Sequence, residues 1–214
     1  MLVGTEPGHM EVYQSADLPG YINHHSVRGL DLTHNAVYYV TVEAANGVNQ
    51  STGAFSAPVY VDDTPPVTGL VVELSGVRSL DGNGDDDEEI EELTCVDAEQ
   101  CRSLDAECLE SMSQLRILWQ PFTDEETGMN WYEVALGSTP GGTQIRPFHR
   151  VAIGRTSAVI TNLDLSNVRA VYATVRGQNR AGLASTATSD GAWISRFGAG
   201  LPPLRPFAVK DGVT

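Results

Sequence analysis

Two stretches of the chain alternate small or apolar residues with polar ones: Ala36 to Val48, reading AVYYVTVEAANGV, and Val168 to Ala181, reading VRAVYATVRGQNRA. A period of two is the mark of a half-buried β-strand. In the first stretch Tyr38, Val40, Val42 and Ala44 share a face; in the second Val171, Ala173, Val175 and Gly177 do. Each is preceded by a Leu-Asp-Leu step, at 30–32 and 163–165, and each ends near an Asn, Asn46 or Asn179. Between and around them the same alternation predicts strands over Thr68–Leu74, Gln114–Trp119, Met129–Leu136, Thr143–Val151, Ser157–Thr161, Val171–Asn179 and Ala187–Ile194. Short strands separated by turn signals describe a two-sheet sandwich. Leu115, Ile117 and Trp119 fall on one face, and Trp119 is the expected centre of the core.

Shifting the sequence by 133 residues aligns it with itself without a gap. Gly4, Pro7 and Gly8 meet Gly137, Pro140 and Gly141; Tyr39, Thr41, Val42 and Asn46 meet Tyr172, Thr174, Val175 and Asn179; Ala54 and Ser56 meet Ala187 and Ser189. The matches fall on turn and strand positions, as an internal repeat requires. The second copy has an upstream half, 114–136, that the first lacks. Residues 1–61 are therefore expected to be the C-terminal part of a domain that begins upstream, because late strands of a sandwich need the early ones to bury their inner face. The alternative is a short module of three or four strands. Asp62-Asp63-Thr64-Pro65-Pro66 reads as a stiff connector, since a Pro pair fixes φ and bars helix. Residues 67–195 form the complete copy, and 196–214 a linker with the first strand of a further repeat, Phe207-Ala208-Val209.

Composition narrows the class. Hydrophobic residues make up 41% of the 214, enough for a sizeable core, and 21 Gly with 11 Pro favour strands and turns over long helices. No apolar run approaches the ~18 residues of a membrane-spanning helix. The formal charge of −15 sets the chain against nucleic acid and anionic membranes as partners.

The residues around Trp119 and the long strands resemble the fibronectin type III family. Trp119 ends Leu-Arg-Ile-Leu-Trp, as a Trp late in the second strand does there. Leu32 followed by Tyr38, Val40, Val42, Ala44 and Asn46 matches the family's Leu, turn and sixth strand, with Tyr39 on the outer face. The second copy departs from it, with Val171 where the Tyr is expected. The turns at 137–142, Thr127-Gly128, 179–183 and Ser189-Asp190-Gly191 look like those of tandem repeats in large extracellular proteins. The resemblance implies an all-β fold of tandem immunoglobulin-like sandwiches, the first copy incomplete, acting as spacers or adhesion surfaces.

An insertion, 78–112, separates the first two strands of the complete copy, and a loop of that length is functional or disordered. It opens on Asp81-Gly82-Asn83-Gly84-Asp85-Asp86-Asp87, oxygen ligands at alternate positions as calcium loops have. Asp81, Asn83, Asp85, Asp87 and Glu92 are the candidate calcium ligands. Asp86 and Glu88 depart from the helix-loop-helix calcium motif, and a solvated acidic loop is the competing reading. Cys95, Cys101 and Cys108 lack zinc spacing and a nearby His, so a disulfide within the insertion is expected; which pair forms is left open, as are three reduced thiols. Asn49-Gln50-Ser51 is a glycosylation acceptor on a loop. Asp62 and Asp63 either share a cation or cap a turn. His24, His25 and His34 read as surface residues, and Glu125-Glu126 as turn carboxylates, not an acid/base pair.

These features lead to the expectation of a non-enzymatic structural or adhesion module, extracellular or at the cell surface, whose partners are neighbouring repeats and other chains of a filament or matrix. Calcium is the one cofactor considered. The alternatives are an accessory domain of a large secreted enzyme and a ligand-binding receptor ectodomain.

Overall fold

A computed structural model of the protein describes residues 1–74, 94–152 and 154–195. It is predominantly β, and the chain divides into two compact units. The first comprises 1–65 together with the turns 124–128 and 179–183; the second comprises most of the chain after Pro65.

The first unit holds one antiparallel sheet built on β3 (Val37–Ala45). β3 is flanked by β1 (Leu2–Gly4) on one side and by β4 (Ser51–Phe55) and β5 (Val59–Tyr60) on the other, with β2 (Tyr13–Gln14) outside β1. Val3, Tyr38 and Thr41 are buried. The Tyr38 hydroxyl accepts a hydrogen bond from the Thr33 N–H at 3.1 Å, tying the strand to the corner before it. Further along, cover runs out on both faces: Val42 on one is 53% exposed, and Phe55, opposite Thr41 on the other, is 66% exposed.

The second unit is a two-layer arrangement. β6 (Val71–Leu74), β8 (Leu115–Trp119) and β11 (Ser157–Ile160) form an antiparallel sheet in the order β11-β8-β6. The larger sheet runs β10 (Arg146–Arg150), β9 (Met129–Gly137), β12 (Ala170–Asn179), β14 (Ala192–Ile194) and β7 (Cys108–Leu109), with β13 (Ala184–Thr188) also on β12. Leu115, Ile117 and Trp119 from the first layer meet Val134, Leu136, Val171, Ala173 and Val175 from the second in one buried cluster. Trp119 is 0% exposed and packs edge-on against Tyr132, with ring centroids 5.5 Å apart. Burying such a ring contributes on the order of 2–3 kcal/mol.

The sequence repeat is realised pair by pair. Thr41 faces Phe55 and Ala45 faces Ser51 across β3 and β4; 133 residues on, Thr174 faces Thr188 and Gln178 faces Ala184 across β12 and β13. Tyr38 faces Val59, and Val171 faces Ala192. Val3 faces Tyr13, and Leu136 faces Arg146. The turns match as well. Asn46 Oδ1 accepts from Gln50 N, and Asn179 Oδ1 accepts from Leu183 N. The left-handed residue of that turn is Asn49 in one copy (φ 59°) and Gly182 in the other (φ 91°). Asn and Gly are the residues that tolerate this conformation.

Two departures from the sequence reading stand out. The strand expected over 187–194 is two strands, β13 and β14, parted at 189–191, where Gly191 takes φ +87° and lies against the Tyr172 ring. The break leaves the Ala173 N–H facing a side chain, the Ser189 hydroxyl, just as Val40 N faces Ser56 in the other copy. The described part of the insertion is not loop alone. Asp97 accepts from Gln100 N and starts α1 (Ala98–Leu104), and β7 pairs parallel to β14. Val72, Leu74 and Leu118 pack with Cys95 and Cys101 in a second buried cluster, with Leu104 against it. β6 is therefore covered on both faces, and all four of its residues are buried.

Candidate functional site

The calcium ligands expected from the acidic run, Asp81, Asn83, Asp85, Asp87 and Glu92, lie outside the described residues. Of the three cysteines, Cys95 and Cys101 are joined by a disulfide and fully buried, while Cys108 is a free thiol, half-buried on β7. The bond closes the start of α1 onto its middle. Asn49 is exposed at the β3–β4 turn. Its side-chain type has a conformational role there, as the left-handed residue, whether or not it carries a glycan.

Two clusters of carboxylates are assembled from residues distant in sequence. In the first unit Asp62, Asp124 and Glu126 bring one oxygen each within 4.8 Å of one another. Asn179, itself buried, organises them: its Nδ2 donates to Asp62 Oδ2, to Asp124 Oδ2 and to the Thr64 carbonyl. Thr127 Oγ1 adds hydrogen bonds to Asp62 and Asp124, and the N–H groups of Thr127 and Gly128 donate to Asp124 Oδ1. Burial is the largest single influence on the Asp124 carboxyl and raises it, but these donors together outweigh it and hold the group below its ordinary value. Glu126 meets His34 Nε2 at 3.3 Å, and His34 Nδ1 lies 2.7 Å from Asp63. His34 is thus half-buried between two acids, and Asp63 pairs with it and not with Asp62. Donors thus meet the oxygens of Asp62 and Asp124, and His34 lies against Glu126.

The second cluster, in the second unit, is Glu73, Asp105 and Asp190, again with one oxygen each within 4.8 Å of one another. Strand alternation puts Val72 and Leu74 under α1, and Val71 and Glu73 on the opposite, core-facing side. Glu73 is 0% exposed. Its Oε1 accepts from the Ala173 N–H at 2.9 Å and from the Ser189 hydroxyl, filling the gap in the ladder between β13 and β14. Its Oε2 is buried with no hydrogen-bond partner among the described residues, and so is Asp105 Oδ1. Asp105 follows α1 directly, and the next residue, Ala106, donates its N–H to the Glu73 carbonyl, fixing the insertion on β6. Asp190 is exposed, in the 189–191 break. Burial pushes the Glu73 carboxyl up to about 7, aided by the charges of Asp105 and Asp190 and opposed by its two hydrogen bonds. Burial and then Asp190 push Asp105 up to about 6. Nothing in the sequence marks Glu73, Asp105 or Asp190 as a site, Asp190 being legible only as part of a turn; the remaining signal is an acid at an inward position of a strand.

The second unit also carries a cleft of about 800 Å³ lined in part by Arg146, Asp164, Arg169, Tyr172 and Trp193. Its one carboxylate, Asp164, accepts from the Ser166 hydroxyl and N–H, which lower its pKa, so no acid/base pair is assembled there.

No protein-family profile matches the chain, and no curated protein is significantly similar to it in sequence. Among the described residues no helix is long and apolar enough to cross a membrane.

Proposed function

We propose that the chain is a segment of an extracellular or cell-surface array of fibronectin type III-like sandwiches, non-enzymatic, whose work is spacing, adhesion or assembly into a filament. The observation that carries this reading is the strand-for-strand repetition: equal registers and equal turn hydrogen bonds 133 residues apart. Stacked copies of one backbone plan suit a scaffold. Three further features support it. A three-stranded sheet faces a larger one around a Trp from its second strand, as in immunoglobulin-like architectures. Tyr38 ties its strand to the preceding corner. The Cys95–Cys101 bond suits an oxidising compartment. Its partners on this reading are neighbouring repeats and other chains of the same matrix, while the charge of −15 disfavours nucleic acid.

The test is mass spectrometry of the protein from its native source, with the parent reading frame in hand. An intact disulfide, glycan on Asn49 and further copies of the repeat are the expected results. Reduced Cys95 and Cys101, or a catalytic domain in the same frame, would overturn it.

A further inference from the structure

The Glu73 cluster presents three carboxylates to one small space, and the strongest charges acting on Glu73 and Asp105 are those of other acids, Asp190 and Glu107 among them. Buried charge of one sign is costly unless something neutralises it. A proton on Glu73 Oε2, shared with the neighbouring acids, is one answer, and a cation is the other. Glu73 Oε1 is already committed to Ala173 and Ser189, so the side chain cannot turn to relieve its other oxygen without losing both.

We infer that Glu73, Asp105 and Asp190 bind a calcium ion. Oxygens within 4.8 Å of one another span a cation with ligands at about 2.3–2.6 Å. The donor set is all hard oxygen, which suits calcium over the softer transition metals. The site grades from fully buried Glu73 through half-buried Asp105 to exposed Asp190, so an ion and its remaining waters reach it from the surface. The Asp62 cluster differs: its oxygens are taken up by Asn179, Thr127 and backbone N–H groups, and it lacks an orphaned buried atom. The new site is also separate in sequence from the acidic run 81–92. Because Asp105 comes from the insertion, Glu73 from β6 and Asp190 from the β13–β14 break, the ion would clamp three segments together.

The experiment is calorimetric and thermal titration of the full chain with calcium chloride up to about 5 mM, above the range of weak extracellular sites. Three variants accompany it: Glu73→Gln, Asp190→Asn, and Asp81, Asp85 and Asp87 all changed to Asn. Expected are binding and a raised melting temperature for the wild type, loss of both in Glu73→Gln, and at least about a tenfold weaker affinity in Asp190→Asn. The triple variant should keep the Glu73 site. Asp190 is exposed, so its variant decides the matter even if Glu73→Gln does not fold. Absence of binding to the wild type, unchanged binding in Asp190→Asn, or loss of all binding in the triple variant would each overturn the assignment.

Discussion

Glu73 owes its setting to the alternation of its strand. In Val-Val-Glu-Leu the first and third residues face the core, so a carboxyl stands where a valine would be expected. Its raised pKa gives a signed prediction. In the unfolded chain Glu73 and Asp105 titrate near 4.5 and 3.8, and in the folded chain near 7 and 6. Between those limits the native state holds more protons, so stability falls as pH rises. This contribution is full below the unfolded values and lost as pH passes through about 6 to 7. With chelator present, urea melts should show the chain losing on the order of 3 kcal/mol from Glu73 between pH 4.5 and 8. Glu73→Gln should flatten most of that slope; an undiminished slope in the variant would refute the assignment of the titration to Glu73. Tyr38 offers the matching test in the first unit. Tyr38→Phe strands the Thr33 N–H and is expected to cost about 1 kcal/mol in the same melts. Of these residues Tyr38 was legible, because its hydroxyl acts within five residues of chain. The grouping of Glu73 with Asp105 and Asp190 was not, because it depends on where an insertion and a strand break come to rest.

Among the elements, strands with a strong alternation were legible: those expected at 114–119, 129–136, 157–161 and 171–179 are β8, β9, β11 and β12 to within a residue or so. The break between β13 and β14 falls at Ser189-Asp190-Gly191, a turn by the resemblance that the strand expected over 187–194 nonetheless runs through. Helix α1 escaped notice because its seven residues are too few to display a helical period. Its start was nevertheless encoded: Asp97 caps the Gln100 N–H, and the Gln100 side chain accepts from Val96 N. A helix so short is marginal by itself and relies on tertiary ties. Changing Cys95 and Cys101 to Ser should therefore cost about 2 kcal/mol by the loop-entropy relation. Amide exchange in α1 should quicken more than in β8. Equal protection in α1 with and without the bond would show that packing alone holds the helix.

The whole molecule is uneven in the depth of its core. Buried apolar side chains in the first unit are Val3 and Tyr38, whereas the second unit gathers a large cluster around Trp119. Scanning calorimetry should accordingly resolve two transitions, the lower belonging to the first unit and the one that Tyr38→Phe displaces. A single transition whose calorimetric and van't Hoff enthalpies agree would rule this out. Repetition was readable from the 133-residue self-alignment because it is written in turn residues that a shared backbone demands. The unequal cores were not, since exposure of Val42 and Phe55 depends on what lies over them. One small element bears on how such chains behave in company. Without β7, β14 would end its sheet, and an unpaired margin of N–H and C=O groups invites a stranger's strand. The two residues of β7, running parallel to it, occupy that margin with a piece of the chain's own insertion. Removing 94–112 should thus make the chain associate more strongly as its concentration rises, which sedimentation would reveal, and unchanged sedimentation would acquit the insertion of any guardian role.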